Sequence, residues 1–132
     1  MDRRTFVKNS TLAATGLTLG QMAMARPFGG NDEPLRLGVI GTGDRGGGII
    51  RLLRNMPQFD TVACSDILPY RLEAATSAAG EGCRAYPDYR RLLDDPRVEA
   101  VVVATPLSMH YEMASAALAA GKHVYCEKTM TY

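Results

Sequence analysis

The sequence predicts an α/β fold, a doubly wound parallel sheet with helices on both faces. Three observations predict it. From residue 35 onward, short apolar runs alternate with helical stretches, the pattern of a parallel sheet wound by right-handed crossovers. One run, Val98–Ala104, is almost continuously aliphatic, as suits a strand buried on both faces. The first run breaks at glycine into G-x-G-x-x-G, Gly41 to Gly46, ahead of a helix.

Leu35–Ile40 is the first strand, rich in aliphatic residues and ended by glycine. Gly41 allows the sharp turn out of it. Gly43 leaves no side chain where a diphosphate must approach the backbone, and Gly46 lets the helix pack closely on the strand. Thr42, Asp44 and Arg45 fill the loop between them. The helix is expected over Ile49–Met56, and its N-terminus offers unpaired N–H groups and partial positive charge to an anion. A lone G-x-G-x-x-G is weak and could be a mere connector. A strand before it and a helix after it favour dinucleotide binding.

Thr61–Ser65 is the second strand. Asp66 stands at its end, twenty residues beyond Gly46, where an acidic side chain accepts hydrogen bonds from the adenosine ribose and repels a 2′-phosphate. That favours NAD. The competing reading is a turn or N-cap aspartate before the next helix. Arg71 is near enough in sequence to reach the adenosine end, which leaves NADP open. A helix over Arg71–Ala79 is stopped by Gly80 and Gly82. Cys83–Tyr86 is a short third strand, and a short helix, Asp88–Leu93, halts near Pro96. After the fourth strand, Val98–Ala104, a helix is expected over Ser108–Ala120, with Ser108 as N-cap and Gly121 as stop. His123–Cys126 is the fifth strand and runs into Glu127-Lys128-Thr129.

The expected strand order is 3-2-1-4-5. Ligands then bind at the carboxyl strand ends, between the first and fourth strands. Gly41–Gly46, Thr105-Pro106 and Glu127-Lys128 all open on that crevice, with Asp66 at its adenosine end.

The chain has 132 residues, enough for one domain. Its 46% hydrophobic and 22% charged content is that of a soluble globular protein. Residues 1–25 read as an export signal. Arg3-Arg4-Thr5-Phe6-Val7-Lys8 is the charged region, Ser10–Leu19 a mildly apolar stretch, and Ala23-Met24-Ala25 a small-x-small cleavage pattern. The apolar stretch is too short to span a bilayer, so no stable membrane insertion is expected. Arg-Arg-x-Phe-x-Lys resembles the twin-arginine signal, which implies the twin-arginine export machinery as a partner and the periplasm as destination. Arg26–Pro34 reads as a linker. Without residues 1–25, twelve basic and thirteen acidic residues remain, a net charge of −1, so nucleic acid is not an expected partner. Three cysteines, Cys64, Cys83 and Cys126, with no C-x-x-C, point to small core residues rather than to a disulfide framework or a zinc site.

Several separate stretches resemble one family. They are GVIGTGDRG, Ala104-Thr105-Pro106, His110, Ala119-Ala120-Gly121-Lys122-His123-Val124 and Glu127-Lys128. Together they look like the N-terminal half of the Gfo/Idh/MocA oxidoreductases, over residues 35–132. The resemblance implies a Rossmann domain binding NAD(P), from an enzyme acting on sugars, cyclitols or related polyols. It makes Lys128 the candidate catalytic lysine, with Glu127 helping to place the cofactor and His110 lining the crevice. A core or capping histidine is the competing reading of His110. Thr129 stands where the family has proline, and Leu107 where it commonly has Asn. The family's second domain carries the substrate face and usually the homo-oligomer interface. A chain ending at Tyr132 is therefore expected to be a fragment, inactive alone.

Three functions remain at this stage. One is an exported oxidoreductase moving hydride between nicotinamide and a sugar-like substrate. Another is a glycosidase of the same family with tightly held, recycled NAD. The last is a non-catalytic dinucleotide-binding module.

Overall fold

The structure is a computed structural model and describes residues 33–130. The expected signal over residues 1–25 and most of the linker lie outside the described residues. In chain order the elements are β1 (Leu35–Ile40), α1 (Asp44–Leu53), β2 (Phe59–Ser65), α2 (Pro69–Ala79), β3 (Arg84–Tyr86), α3 (Tyr89–Leu93), β4 (Ala100–Val103), a 3₁₀ turn (Leu107–Met109), α4 (His110–Ala119) and β5 (His123–Cys126). The five strands form one sheet in the order β3-β2-β1-β4-β5, and every pairing is parallel.

The register decides where a site can be. Ile40 pairs with Ser65 on one side and with Val103 on the other. Ser65 pairs with Tyr86, and Val103 with Cys126. Each of these residues ends its strand, so all five carboxyl ends are level. The loops after β1, β2, β4 and β5 leave along one edge.

Successive strand residues point to opposite faces, and both faces are packed. Ile40, Val101 and Val103 join Leu92, Val98, Met113 and Ala117 beneath α3 and α4. Val39, Cys64 and Val102 join Ile50, Leu72 and Ala75 beneath α1 and α2. This two-sided burial is why Val98–Ala104 shows no apolar–polar alternation.

Several elements begin or end one or two residues from the sequence expectation, and two helix starts differ for a physical reason. The first helix starts at Asp44 rather than Ile49 and ends at Leu53. Gly47 N–H donates to Gly43 O at 2.7 Å, so the fingerprint glycines themselves form the first turn. Glycine's low helix propensity is overridden there by close packing. Ser108 is not an N-cap: it lies within the 3₁₀ turn, and α4 starts after Met109 with no side-chain cap. The chain enters α4 through the backbone bond from Met109 N to Pro106 O.

Below the sheet, a buried ion pair ties the edge together. The Asp95 side chain is fully buried. It accepts from Arg97 Nη2 at 2.7 Å, from the Tyr86 hydroxyl at 2.9 Å and from its own turn at Arg97 N. Arg97 also donates to Gly82 O and Val62 O. Lys122 Nζ closes the same turn by donating to Val98 O at 2.8 Å and Asp95 O at 3.3 Å. The Arg97 guanidinium holds the Asp95 carboxyl well below the usual carboxylate range.

Arg97→Leu is expected to destabilise the domain by about 3 kcal/mol, because it strands a buried carboxylate; urea unfolding measures this. Asp95 binds its proton less readily folded than unfolded. Its stabilising contribution is therefore complete above the unfolded value of about 4 and declines as pH falls below it. Asp95→Asn flattens that acid slope in unfolding curves taken across the range.

Candidate functional site

Gly41 turns the chain out of β1 with φ of +85°. A side chain here would meet the Ala104 carbonyl and the Thr105 methyl, both under 3.0 Å away, so the first and fourth loops touch at this residue. Gly46 is confined still more tightly: a Cβ would fall on the carbonyl oxygen of Gly41. Gly43 precedes α1, and its N-cap position carries no side-chain bond. The N-terminal amides of α1 therefore face the crevice without a competing side-chain acceptor from the cap, the arrangement that receives an anion. Asp44 and Arg45, in the first turn, are exposed.

Asp66 locks this turn to the end of β2. Its Oδ2 accepts from Thr42 N at 2.8 Å and from Thr42 Oγ1 at 3.1 Å, while Oδ1 accepts from Leu68 N at 2.9 Å. Gly41 N donates to Ser65 O at 2.8 Å beside it. Asp66 thus makes the bonds of a turn aspartate, and it remains half-buried rather than sealed. The Arg71 guanidinium lies over Gly43, with Nη1 3.2 Å from where a Cβ would stand. Arg71, expected within reach of the adenosine end, thus stands above the glycine loop. Next to Asp66 opens a shallow apolar recess of about 320 Å³, walled by Ile67, Pro69, Leu72, Thr76, Ala85 and Pro87.

Thr105 Oγ1 is buried and has no hydrogen-bond partner among the described residues. An orphaned buried hydroxyl is costly unless something else satisfies it, and this one stands beside Gly41 at the head of the crevice. Pro106 is exposed next to it. His110 is 1% exposed. Its Nε2 lies 2.8 Å from Thr105 O and its Nδ1 2.8 Å from Thr129 O. Neither nitrogen is open to the crevice, so the structure places His110 as a core tether between the fourth and fifth loops. A neutral imidazole donates to one of these carbonyls; an imidazolium donates to both.

Across the crevice, Glu127 Oε1 accepts from Arg45 Nη2 at 2.8 Å and from the Tyr125 hydroxyl at 3.2 Å. The Arg45 hydrogen bond holds the Glu127 carboxyl below its ordinary value. The pair bridges the start of α1 to the end of β5. Lys128 is exposed, and the peptide bond following it is cis. Arg45, Thr105 and Glu127 were each named from the sequence, but the Arg45–Glu127 pairing and the orphaned burial of the Thr105 hydroxyl were not, because neither is encoded in local spacing.

A family model described as an oxidoreductase family with an NAD-binding Rossmann fold matches residues 35–132. The chain belongs to the Gfo/Idh/MocA oxidoreductase family. The domain is its NAD-binding Rossmann unit, and the level strand ends, glycine turn and unpartnered Thr105 hydroxyl fit that cofactor. The inositol 2-dehydrogenase/D-chiro-inositol 3-dehydrogenase of Lactiplantibacillus plantarum is 36% identical over 96 residues, 72% of this chain and 27% of that protein. A glycosyl hydrolase family 109 protein of Stenotrophomonas maltophilia is 31% identical over 137 residues, 96% of this chain and 29% of that protein. The crystal structure of myo-inositol dehydrogenase from Lactobacillus casei, in complex with NAD(H) and myo-inositol, superposes with a TM-score of 0.70 at 33% identity. It covers 74% of this chain and 29% of that one. The chain therefore spans under a third of the length of these relatives.

Two glycines of α1 separate the site from the scaffold. Gly46→Ala drives a methyl into the Gly41 carbonyl and is expected to abolish NADH binding in a fluorescence titration. Gly48→Ala meets nothing nearer than Arg51 Nη2 at 4.0 Å. It should raise helix stability by about 0.5–1 kcal/mol and leave NADH affinity within twofold.

Proposed function

We propose that this domain is the cofactor-binding half of an exported oxidoreductase that moves hydride between NAD and a sugar, cyclitol or related polyol. The observation carrying the proposal is the convergence of the β1, β4 and β5 loops on one crevice, with an exposed lysine, Lys128, on the β5 loop. The nicotinamide, when bound, supplies the hydride donor or acceptor at C4. The residues of the chain do the rest. The glycine turn and the α1 amides hold the diphosphate, with Arg71 above them. Asp66 orients the adenosine ribose, and the apolar recess beside it offers walls to the adenine ring. Thr105 Oγ1 gains a partner in the cofactor. Glu127, kept ionised by Arg45, fixes the start of the segment that carries Lys128. Lys128 gives the proton as the ammonium, or takes it as the amine, at the substrate hydroxyl, the role of a general acid–base.

A second reading has its own support. The alignment with the glycosyl hydrolase family 109 relative covers 96% of this chain, against 72% for the inositol dehydrogenase. It therefore extends over most of the segment read as an export signal. In that reading NAD stays bound and oxidises the sugar only transiently, and the glycoside is cleaved by elimination and water addition. A cofactor held through turnover suits a compartment poor in free NAD.

The first test is nucleotide identification by mass after denaturing the parent protein purified from the exported fraction. Stoichiometric NAD is expected; NADP overturns the role given to Asp66. Net NADH formation with a polyol then supports the oxidoreductase, and aglycone release without net redox change supports the glycosidase. In the parent, Lys128→Met is expected to lower kcat by about 10²-fold or more with NAD affinity unchanged. Asp66→Ala is expected to weaken NAD binding by about tenfold, or about 1.4 kcal/mol. Equilibrium titration separates the two variants.

A further inference from the structure

On the α1–α2 face of the sheet, away from the crevice, two thiols meet. Cys64 lies in β2 and is wholly buried. Cys83 lies just before β3 and is half-buried. Their Sγ atoms are 3.6 Å apart, although the residues are nineteen apart in sequence. Both are free.

We propose that Cys83 and Cys64 form a thiol–disulfide redox pair, with Cys83 the attacking thiolate and Cys64 the resolving thiol, and with a small-molecule aliphatic disulfide as oxidant. Three features carry this. First, the accessibility is graded, so a dissolved disulfide reaches Cys83 and not Cys64. Second, Arg97 fixes a positive charge beside the pair. Its guanidinium donates to Gly82 O at 3.2 Å, next to Cys83, and to Val62 O at 3.1 Å on β2. A thiolate beside a fixed cation is the reactive form. The bond from Cys64, with Arg97 after it, favours the Cys83 thiolate against the opposing pull of burial and Asp60, whereas the bond to Cys83 and burial raise Cys64, and burial raises Cys126. Third, the backbone has room to move. A disulfide needs the sulfurs to close to about 2.05 Å. Cys83 follows Gly80 and Gly82, both at positive φ, and nothing stands within 4 Å of where a Gly82 Cβ would be. β3 is a three-residue edge strand, so the closing shift falls on a segment with few ladder bonds to lose.

The chemistry balances. The Cys83 thiolate attacks one sulfur of the oxidant, forming a mixed disulfide and expelling a thiolate that takes up a proton. The Cys64 thiol gives up its proton and attacks Cys83 Sγ. This expels the second thiolate and leaves a Cys64–Cys83 disulfide. Two thiols have lost two electrons and two protons, and one disulfide has become two thiols. The product staples β2 to β3, two residues from Asp66.

The experiment treats the full chain with oxidised glutathione, blocks remaining thiols with N-ethylmaleimide at timed intervals, and maps the peptides by mass. The expected result is a linked peptide pair containing Cys64 and Cys83, short by two hydrogens, with Cys126 still blocked as a thiol. In Cys64→Ala the mixed disulfide at Cys83 accumulates instead. In Cys83→Ala modification at Cys64 slows at least tenfold. A wild-type chain that holds glutathione on Cys83 without forming the link overturns the proposal. So does Cys126 reacting as fast as Cys83. The wild-type comparison of Cys83 with Cys126 stands even where a variant fails to fold.

Discussion

The crevice depends on one carboxylate. Asp66 sits at the end of β2 and takes three hydrogen bonds, two from Thr42 and one from Leu68. The glycine turn after β1 has few side chains to define its shape: Gly41, Gly43 and Gly46 supply none, and the Thr42 hydroxyl is turned to Asp66. Its geometry is borrowed from its neighbours. Below, the Gly41 carbonyl rests against Gly46. Beside it, Ala104 and Thr105 close off the space a side chain would need. Asp66 provides the polar part of this mould and joins the anion-binding turn to the start of α2. A charged acceptor on backbone N–H is among the stronger hydrogen bonds available. Any ligand group that recruits Asp66 must therefore be felt at Thr42 as well.

The sheet was legible in the sequence because its signals are local and redundant. Two-sided burial makes Val98–Ala104 a continuous aliphatic run, and G-x-G-x-x-G encodes a turn whose steric demands only glycine meets. The strand order followed from the alternation, right-handed crossovers and the glycine fingerprint of a doubly wound sheet together. Helix starts were less legible. α1 begins among glycines whose intrinsic preference opposes it, and only the packing of Gly46 on the Gly41 carbonyl reveals why. Ser108 carries a capping residue's chemistry, but the chain reaches α4 through a 3₁₀ turn that leaves the hydroxyl no role there.

Contacts between distant residues stayed hidden. His110 could be placed near the crevice by sequence, yet only the fold shows its two nitrogens held by Thr105 and Thr129. Lys122 belongs to a stretch resembling the family's, and its task proves mechanical: its ammonium closes the turn leading into β4 by binding Val98 O and Asp95 O. Asp95 stands just before Pro96, where the short helix was expected to halt. It is the buried centre of a network that reaches Arg97, Tyr86 and, through Arg97, two carbonyls on neighbouring segments. Pairings of this kind depend on which strands adjoin, so they become readable only after topology is known.

The level carboxyl ends of the strands have an evolutionary consequence. Ile40, Ser65, Tyr86, Val103 and Cys126 stop at one height, so residues that face a ligand sit above the packed layers. Leu107 and Thr129, the two departures from the family pattern, both fall in that rim and are exposed. New specificities can be sampled there by single substitutions without repacking the interior. Folding and chemistry in this chain are thus separable targets of selection.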